Sequence, residues 1–262
     1  MSAPRMTSNS ASPDGKAVSV TILGAGDAFS AGGCAHSGYV IQGGGTTVLL
    51  EAGPSVLATM KRARVLPNAL DLVLITHLHG DHYAGVPFLL LEYLWESPLE
   101  HTITVAGPRN LETRCWRLMD TMFPRYDVTK LHRRIRFAVL EPGDNLKLGK
   151  VRVSAIRSPH TSPDISMSYR IELEGKSVVY SGDSGWNEKL IGFSDGADLF
   201  LCECTYFESK HLTFHMNYPE LAANRERFKV RRMVLTHLGR EVLAHKVEVK
   251  IEMAFDGMKI EV

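Results

Sequence analysis

Apolar and polar residues alternate over Ala17 to Leu23 (AVSVTIL), and the alternation stops at Gly24-Ala-Gly-Asp27, which marks a strand entering a tight loop. Gly38 to Gln42 and Thr46 to Glu51 are further short strands, divided by the hairpin signal Gly43-Gly-Gly45, so the chain is expected to open with adjacent antiparallel strands. Pro54 to Arg64 reads as a helix with proline near its first turn. An apolar strand over 71–76, an apolar helix from Tyr83 to Trp95, a strand from His101 to Ala106 and a helix from Pro108 to Phe123 follow. From Ile135 strands return, at 135–140, 151–157, 166–173 and 177–181, with Gly149 and Gly175 among the turn residues. Helices over Trp186 to Phe193, Pro219 to Arg227 and Arg240 to His245 then interleave with strands over Asp198 to Glu203 and Met233 to Thr236. Two strand-rich stretches, each with its own helices, imply two sheets packed together beneath outer helices. The residues themselves show no internal repeat.

The pattern breaks most sharply at 71–82, Asp-Leu-Val-Leu-Ile-Thr-His-Leu-His-Gly-Asp-His, where an apolar strand runs straight into His77, His79, Asp81 and His82. A single histidine in such a loop is more often satisfied by hydrogen bonds. Four candidate ligands grouped after a strand point instead to a metal loop. One loop cannot close a coordination sphere, so further ligands are expected at other strand ends. His160 (Arg-Ser-Pro-His160), Asp183 (Tyr-Ser-Gly-Asp183) and His237 (Val-Leu-Thr-His237) each follow an apolar strand as His77 does. Each alone reads as a cap or turn residue, and the shared context makes them ligand candidates. Gly24-Ala-Gly-Asp27 is read as a turn rather than a dinucleotide fingerprint, because Phe29 stands where a third glycine is needed.

Composition narrows the function classes. With 30 Lys+Arg against 29 Asp+Glu the chain has no global positive field for nucleic acid, and the basic runs Lys130 to Arg136 and Arg225 to Arg232 read as solvated surface. Cys34, Cys115, Cys202 and Cys204 lack the paired spacing of a structural zinc site and are expected as buried thiols in a reducing compartment. Residues 1–16, rich in small and polar residues without an apolar core, are expected to be a flexible tail, and 17–262 a single domain. No apolar run reaches the ~18–20 residues of a membrane span, so a cytoplasmic location without membrane contact is expected.

The order His77-x-His79-x-Asp81-His82, His160, Asp183, His237 resembles the metallo-β-lactamase fold superfamily of binuclear hydrolases over nearly the whole chain. The resemblance implies an α+β fold, a four-layer αβ/βα sandwich with metals at one edge between the sheets. It also implies that His77, His79 and His160 hold one divalent ion, Asp81, His82 and His237 the other, and that Asp183 bridges them. Imidazole and carboxylate ligands suit zinc, and also manganese or iron. Leu23-Gly-Ala-Gly-Asp-Ala-Phe29, Thr76 to His82 with Gly85-Val-Pro-Phe-Leu-Leu90, and Glu203-Cys-Thr-Tyr206 followed by His215 are similar to motifs of the ribonuclease Z-like branch. Glu51 stands where that branch usually carries Asp. The long arm that ribonuclease Z inserts between the positions of His160 and Asp183 to hold transfer RNA is absent, which argues against transfer-RNA maturation. The family also implies a homodimer.

The expected function is hydrolysis, with a water activated between two metals and with Asp81 taking part, of a phosphodiester in a small or nucleotide-like substrate. His215 is the candidate general acid and Glu203 its orienting partner. Two readings stay open beside that one: a helix-flanking His215 before Asn217 and Pro219, and a Glu203 bonded to a ligand histidine. Hydrolysis of a lactone, thioester or β-lactam is the alternative chemistry, with less use for His215. A non-hydrolytic metal-binding relative is the third reading. His79 argues against the diiron redox relatives, which typically carry an acidic residue there.

Overall fold

Val48, Leu49 and Leu50 are all fully buried although successive strand residues point to opposite faces, so the sheet that contains them is covered on both sides. The computed structural model describes residues 17–160, 165–208 and 213–262, and the expected tail over 1–16 lies outside them. The first half of the chain supplies β1 (Ser19–Gly24), β2 (Gly38–Gly43), β3 (Thr46–Leu50), α1 (Val56–Arg62), β4 (Leu72–Leu74), α2 (Gly80–Tyr83), α3 (Val86–Trp95), β5 (Ile103–Gly107), α4 (Leu111–Met122), α5 (Thr129–His132) and β6 (Ile135–Val139). The second supplies β7 (Asn145–Leu148), β8 (Val151–Arg157), β9 (Met167–Leu173), β10 (Lys176–Tyr180), α6 (Lys189–Phe193), β11 (Leu199–Glu203), α7 (Tyr218–Asn224), β12 (Met233–Thr236), α8 (Arg240–Ala244), β13 (Glu252–Met253) and β14 (Lys259–Glu261).

These strands form two seven-stranded mixed sheets, ordered β14-β1-β2-β3-β4-β5-β6 and β13-β12-β11-β10-β9-β8-β7. The expected opening run of antiparallel strands is present as β1, β2 and β3. The two sheets share an inner core in which Ile22, Tyr39, Ile41, Val48 and Leu74 meet Val153, Tyr169, Ile171, Tyr180 and Leu201. On the outer face of the first sheet Leu49, Val73 and Ile75 pack on Met60, Leu89, Leu90, Leu111 and Met119 of its helices. On the outer face of the second, Val179, Phe200 and Leu235 pack on Leu190, Leu221 and Val242. This is the expected four-layer αβ/βα sandwich, and truncating one of these core leucines to alanine costs about 2–5 kcal/mol.

Several expectations are corrected in detail. The apolar helix expected from Tyr83 begins earlier, and its first turn is separate: α2 ends at Tyr83, and Gly85 lies between it and α3. A side chain at Gly85 would sit 2.2 Å from the carbonyl oxygen of Gly53, so the backbones meet there and turn the chain. The first sheet is completed from the far end of the chain, since β14 pairs antiparallel with β1. Cys34 is only half-buried, whereas Cys115, Cys202 and Cys204 are buried, and all four are free thiols. Among the described residues no helix is long and apolar enough to cross a membrane.

The loop joining β1 to β2 is braced by two carboxylates, Asp27 of the loop itself and the distant Asp256. Asp27 Oδ1 accepts hydrogen bonds from the amides of Phe29 and Ala31, both at 3.1 Å. Asp256 accepts from Ala25 at 3.0 Å through one oxygen and from Ala35 at 2.7 Å through the other. Ser30 Oγ lies 3.2 Å from His36 Nε2 across the loop's neck. Gly26 bridges both His36 and Leu238, which tethers the loop to the residue after His237.

Candidate metal centre

The seven candidate ligands all sit just beyond strand ends on one edge of the sandwich, because strands and their crossovers deliver chain reversals there. β4 leads to His77, His79, Asp81 and His82, β8 to His160, β10 to Asp183 and β12 to His237. The structure gathers them into two donor groups, His77, His79, His160 with Asp183, and Asp81, His82, His237 with Asp183. Within each group one ligand atom per residue lies within 4.8 Å of all the others.

Asp183 stands between the groups. Its Oδ2 lies 3.8 Å from Nε2 of both His77 and His160 and 3.3 Å from Nε2 of His237, and its Oδ1 lies 3.2 Å from Nε2 of His82. Asp81 Oδ2 lies 3.1 Å from His82 Nε2 and 3.4 Å from His237 Nε2.

The imidazole rings are oriented from behind. His160 Nδ1 can only donate to the carbonyl oxygen of Phe214, at 2.8 Å, which leaves the Nε2 lone pair facing the group. Thr205 Oγ1 donates to Glu203 Oε2 at 2.9 Å and therefore accepts from His237 Nδ1 at 2.9 Å, with the same result for the His237 Nε2. Thr76 Oγ1, 3.0 Å from His77 Nδ1, is hydrogen-bonded to the buried Glu51 carboxylate in turn. Glu51 Oε1 lies 3.5 Å from His82 Nδ1. Glu51 and His237 both hold left-handed backbone, with φ of 61° and 52°, a conformation that strains non-glycine residues and persists only where the surroundings impose it.

The contacts inside the groups are close but poorly matched as hydrogen bonds. His79 Nδ1 is 3.1 Å from His77 Nε2 and 3.0 Å from His160 Nε2, more nitrogens than one neutral ring nitrogen can pair. His82 Nε2 and Asp183 Oδ1 are buried without a hydrogen-bond partner despite their 3.2 Å approach. Converging lone pairs that satisfy nothing among themselves suit a cation at their centre. Burial, together with the His82 charge, pushes the His77 pKa well below its ordinary value, keeping the neutral form that ligation requires. Burial opposes a charge on His82 too, but Asp183, Asp81 and Glu51 around it reverse the balance and raise its pKa, so this pocket demands positive charge. The donor sets therefore fit metal ions.

Beside the second group, Glu203 and His215 meet. His215 Nδ1 lies 2.8 Å from Glu203 Oε1, which also accepts the Ser184 amide at 2.6 Å. Burial works against protonation of His215, and the Glu203 carboxylate overrides it, lifting the pKa to about 9. The His215 ring stacks on His237 with centroids 5.4 Å apart and stands 4.9 Å from the His160 ring. Glu203 Oε1 meets His215, and its Oε2 reaches His237 only through Thr205. Thr76, Thr205, Ser184 and the Phe214 carbonyl escape a reading of residues, because their roles depend on contacts between distant segments.

Residues 18–256 match the family model described as Anti-Pycsar protein Apyc1. The chain is 26% identical over 243 residues to the probable metallo-hydrolase YhfI of Bacillus subtilis, covering 91% of this chain and 94% of that one. It is also 26% identical over 243 residues to ribonuclease Z of Pyrococcus horikoshii, covering 75% and 78%. The crystal structure of the metallo-β-lactamase fold protein YhfI from Bacillus subtilis superposes with a TM-score of 0.76 at 24% identity, over 93% of this chain and 99% of that one. The chain thus belongs to the Anti-Pycsar protein Apyc1 family, in the ribonuclease Z-like branch of the metallo-β-lactamase fold superfamily.

Proposed function

We propose that this protein is a metal-dependent phosphodiester hydrolase acting on small or nucleotide-like substrates, working in the cytoplasm. His77, His79 and His160 would hold one divalent ion and Asp81, His82 and His237 a second, with Asp183 common to both; zinc suits the donors, with manganese or iron as alternatives. Ions bound there would supply Lewis acidity, lowering the pKa of a water and offsetting negative charge on the phosphoryl oxygens. Asp81 would contribute its carboxylate to the second ion and help orient an attacking water. His215 donates a proton from Nε2 to the departing alkoxide, while Glu203 accepts its Nδ1–H and stabilises the imidazolium.

The observation that carries this reading is the His215–Glu203 pair, 2.8 Å apart beside the two donor groups, because an alkoxide leaving group needs an acid and an activated carbonyl has less need of one. The similarity to a ribonuclease Z supports phosphodiester chemistry. Only 22 residues separate His160 from Asp183, and those described carry β9 and β10, which argues against a long nucleic-acid substrate held by an arm. The test is to measure metal content and assay aryl phosphodiester, lactone, thioester and β-lactam substrates with and without chelator. Chelator-sensitive turnover of the phosphodiester is expected, and turnover confined to the carbonyl substrates overturns the proposal.

A further inference from the structure

Among the described residues Phe29, 88% exposed, is the most exposed of the large apolar side chains, and its backbone is held by hydrogen bonds. Its own amide donates to Asp27 Oδ1, and the following Ser30 takes a left-handed turn, with φ 51°, whose amide donates to the Asp27 carbonyl at 3.1 Å. Solitary exposed apolar residues are common and need no explanation. An aromatic ring presented from a loop stiffened by two carboxylates, one of them supplied from residue 256, is a different case.

The loop's position supplies the second observation. One limb, at Gly26, bridges Leu238, the residue after His237. The other limb, at His36, presses on Gly53, where a side chain would meet the Asp81 carbonyl oxygen at 2.4 Å and the His36 Cβ at 2.6 Å. Both limbs thus lean on the chain beside the second donor group. Phe29 is three residues from Gly26, so its backbone lies within about 11 Å of that contact.

Building on the phosphodiester reading above, we infer that Phe29 is a stacking wall at the rim of the metal cleft, taking the planar base or aryl portion of a nucleotide-like substrate. Its ring offers an apolar face to any base, which gives affinity without choosing among bases. Because the loop's backbone is already braced, little backbone freedom is lost on stacking. The residues that anchor phosphate and the ring that grips the base are then separate.

The experiment titrates metal-loaded wild-type, Phe29→Ala and Phe29→Tyr proteins calorimetrically with adenosine monophosphate and with inorganic phosphate, and measures the metal content of each. The expected result is an affinity for adenosine monophosphate about tenfold weaker in Phe29→Ala and retained in Phe29→Tyr, with phosphate affinity and metal content unchanged. Equal affinity for adenosine monophosphate in Phe29→Ala and wild type overturns the inference, as does a parallel loss of phosphate affinity or metal. Wild-type protein that binds phosphate but gains nothing from the nucleoside also overturns it. Wild-type protein that binds neither ligand overturns the phosphodiester reading itself, and the stacking wall with it.

Discussion

His215 Nδ1 and Glu203 Oε1 lie 2.8 Å apart, joining the end of β11 to the segment that leads into α7. With Nδ1 committed to the carboxylate, the remaining ring nitrogen is the one that can serve a substrate. Replacing His215 by Ala should lower kcat by about 10²–10³ on a phosphodiester with an alkyl leaving group and far less on a p-nitrophenyl ester. Metal content should not change. The comparison is steady-state turnover of the two substrates, and equal losses on both would remove the general-acid role.

Glu203 is fully buried and accepts from Ser184, Thr205, His215 and the Met216 amide. Glu203→Gln leaves one donor facing donors, so a loss of about 1–3 kcal/mol in unfolding free energy is expected, read by denaturant titration. On the alkyl substrate its kinetic effect should be strongly non-additive with His215→Ala, since the two act as one unit. Additive losses in the double variant would separate them.

Asp183 is the residue common to both donor groups. Asp183→Ala should therefore deplete both ions together and reduce activity to the level seen with chelator, as measured by elemental analysis alongside turnover. Retention of two equivalents of metal in this variant would disprove the bridge.

Metal removal should also lower thermal stability, because a ligand that binds only the folded state adds RT ln(1 + [L]/Kd), about 4 kcal/mol at a thousandfold excess over Kd. Scanning calorimetry with and without chelator reads this shift. It should vanish in Asp183→Ala, and a wild-type Tm indifferent to chelator would count against metal at this site.

Gly53→Ala places a methyl group against the Asp81 carbonyl and the His36 Cβ. The metal loop must shift to admit it, at a cost of about 1–3 kcal/mol and with weakened metal binding. Competition with a chromogenic chelator measures the second effect, and unaltered affinity would show that the loop yields without moving its ligands.

The sandwich and the seven candidate ligands were legible because each rests on a local signal: an apolar run for the strand, then a histidine or aspartate where the run ends. His77 and His237 are the clearest examples. β14, three residues long, and β13, two residues long, carry too little pattern to be seen. β7 is missed because Asn145, Leu146 and Lys147 are exposed and show no buried alternation. The supports of the site were hidden for another reason. Thr205 looks like any threonine until His237 arrives from 32 residues away, and Glu51 gains its meaning only from Thr76 and His82.

The clasp of Asp256 on Ala25 and Ala35 has a consequence for biosynthesis. These amides are made early and must wait for an acceptor that emerges 231 and 221 residues later, close to the strand that closes the first sheet. During synthesis from the N-terminus the histidine cluster of 77–82 can meet metal long before the rim loop is fastened. A nascent chain stopped just before residue 256 would hold all seven candidate ligands and lack the clasp on Ala25 and Ala35, so the order of manufacture leaves the β1–β2 loop until last.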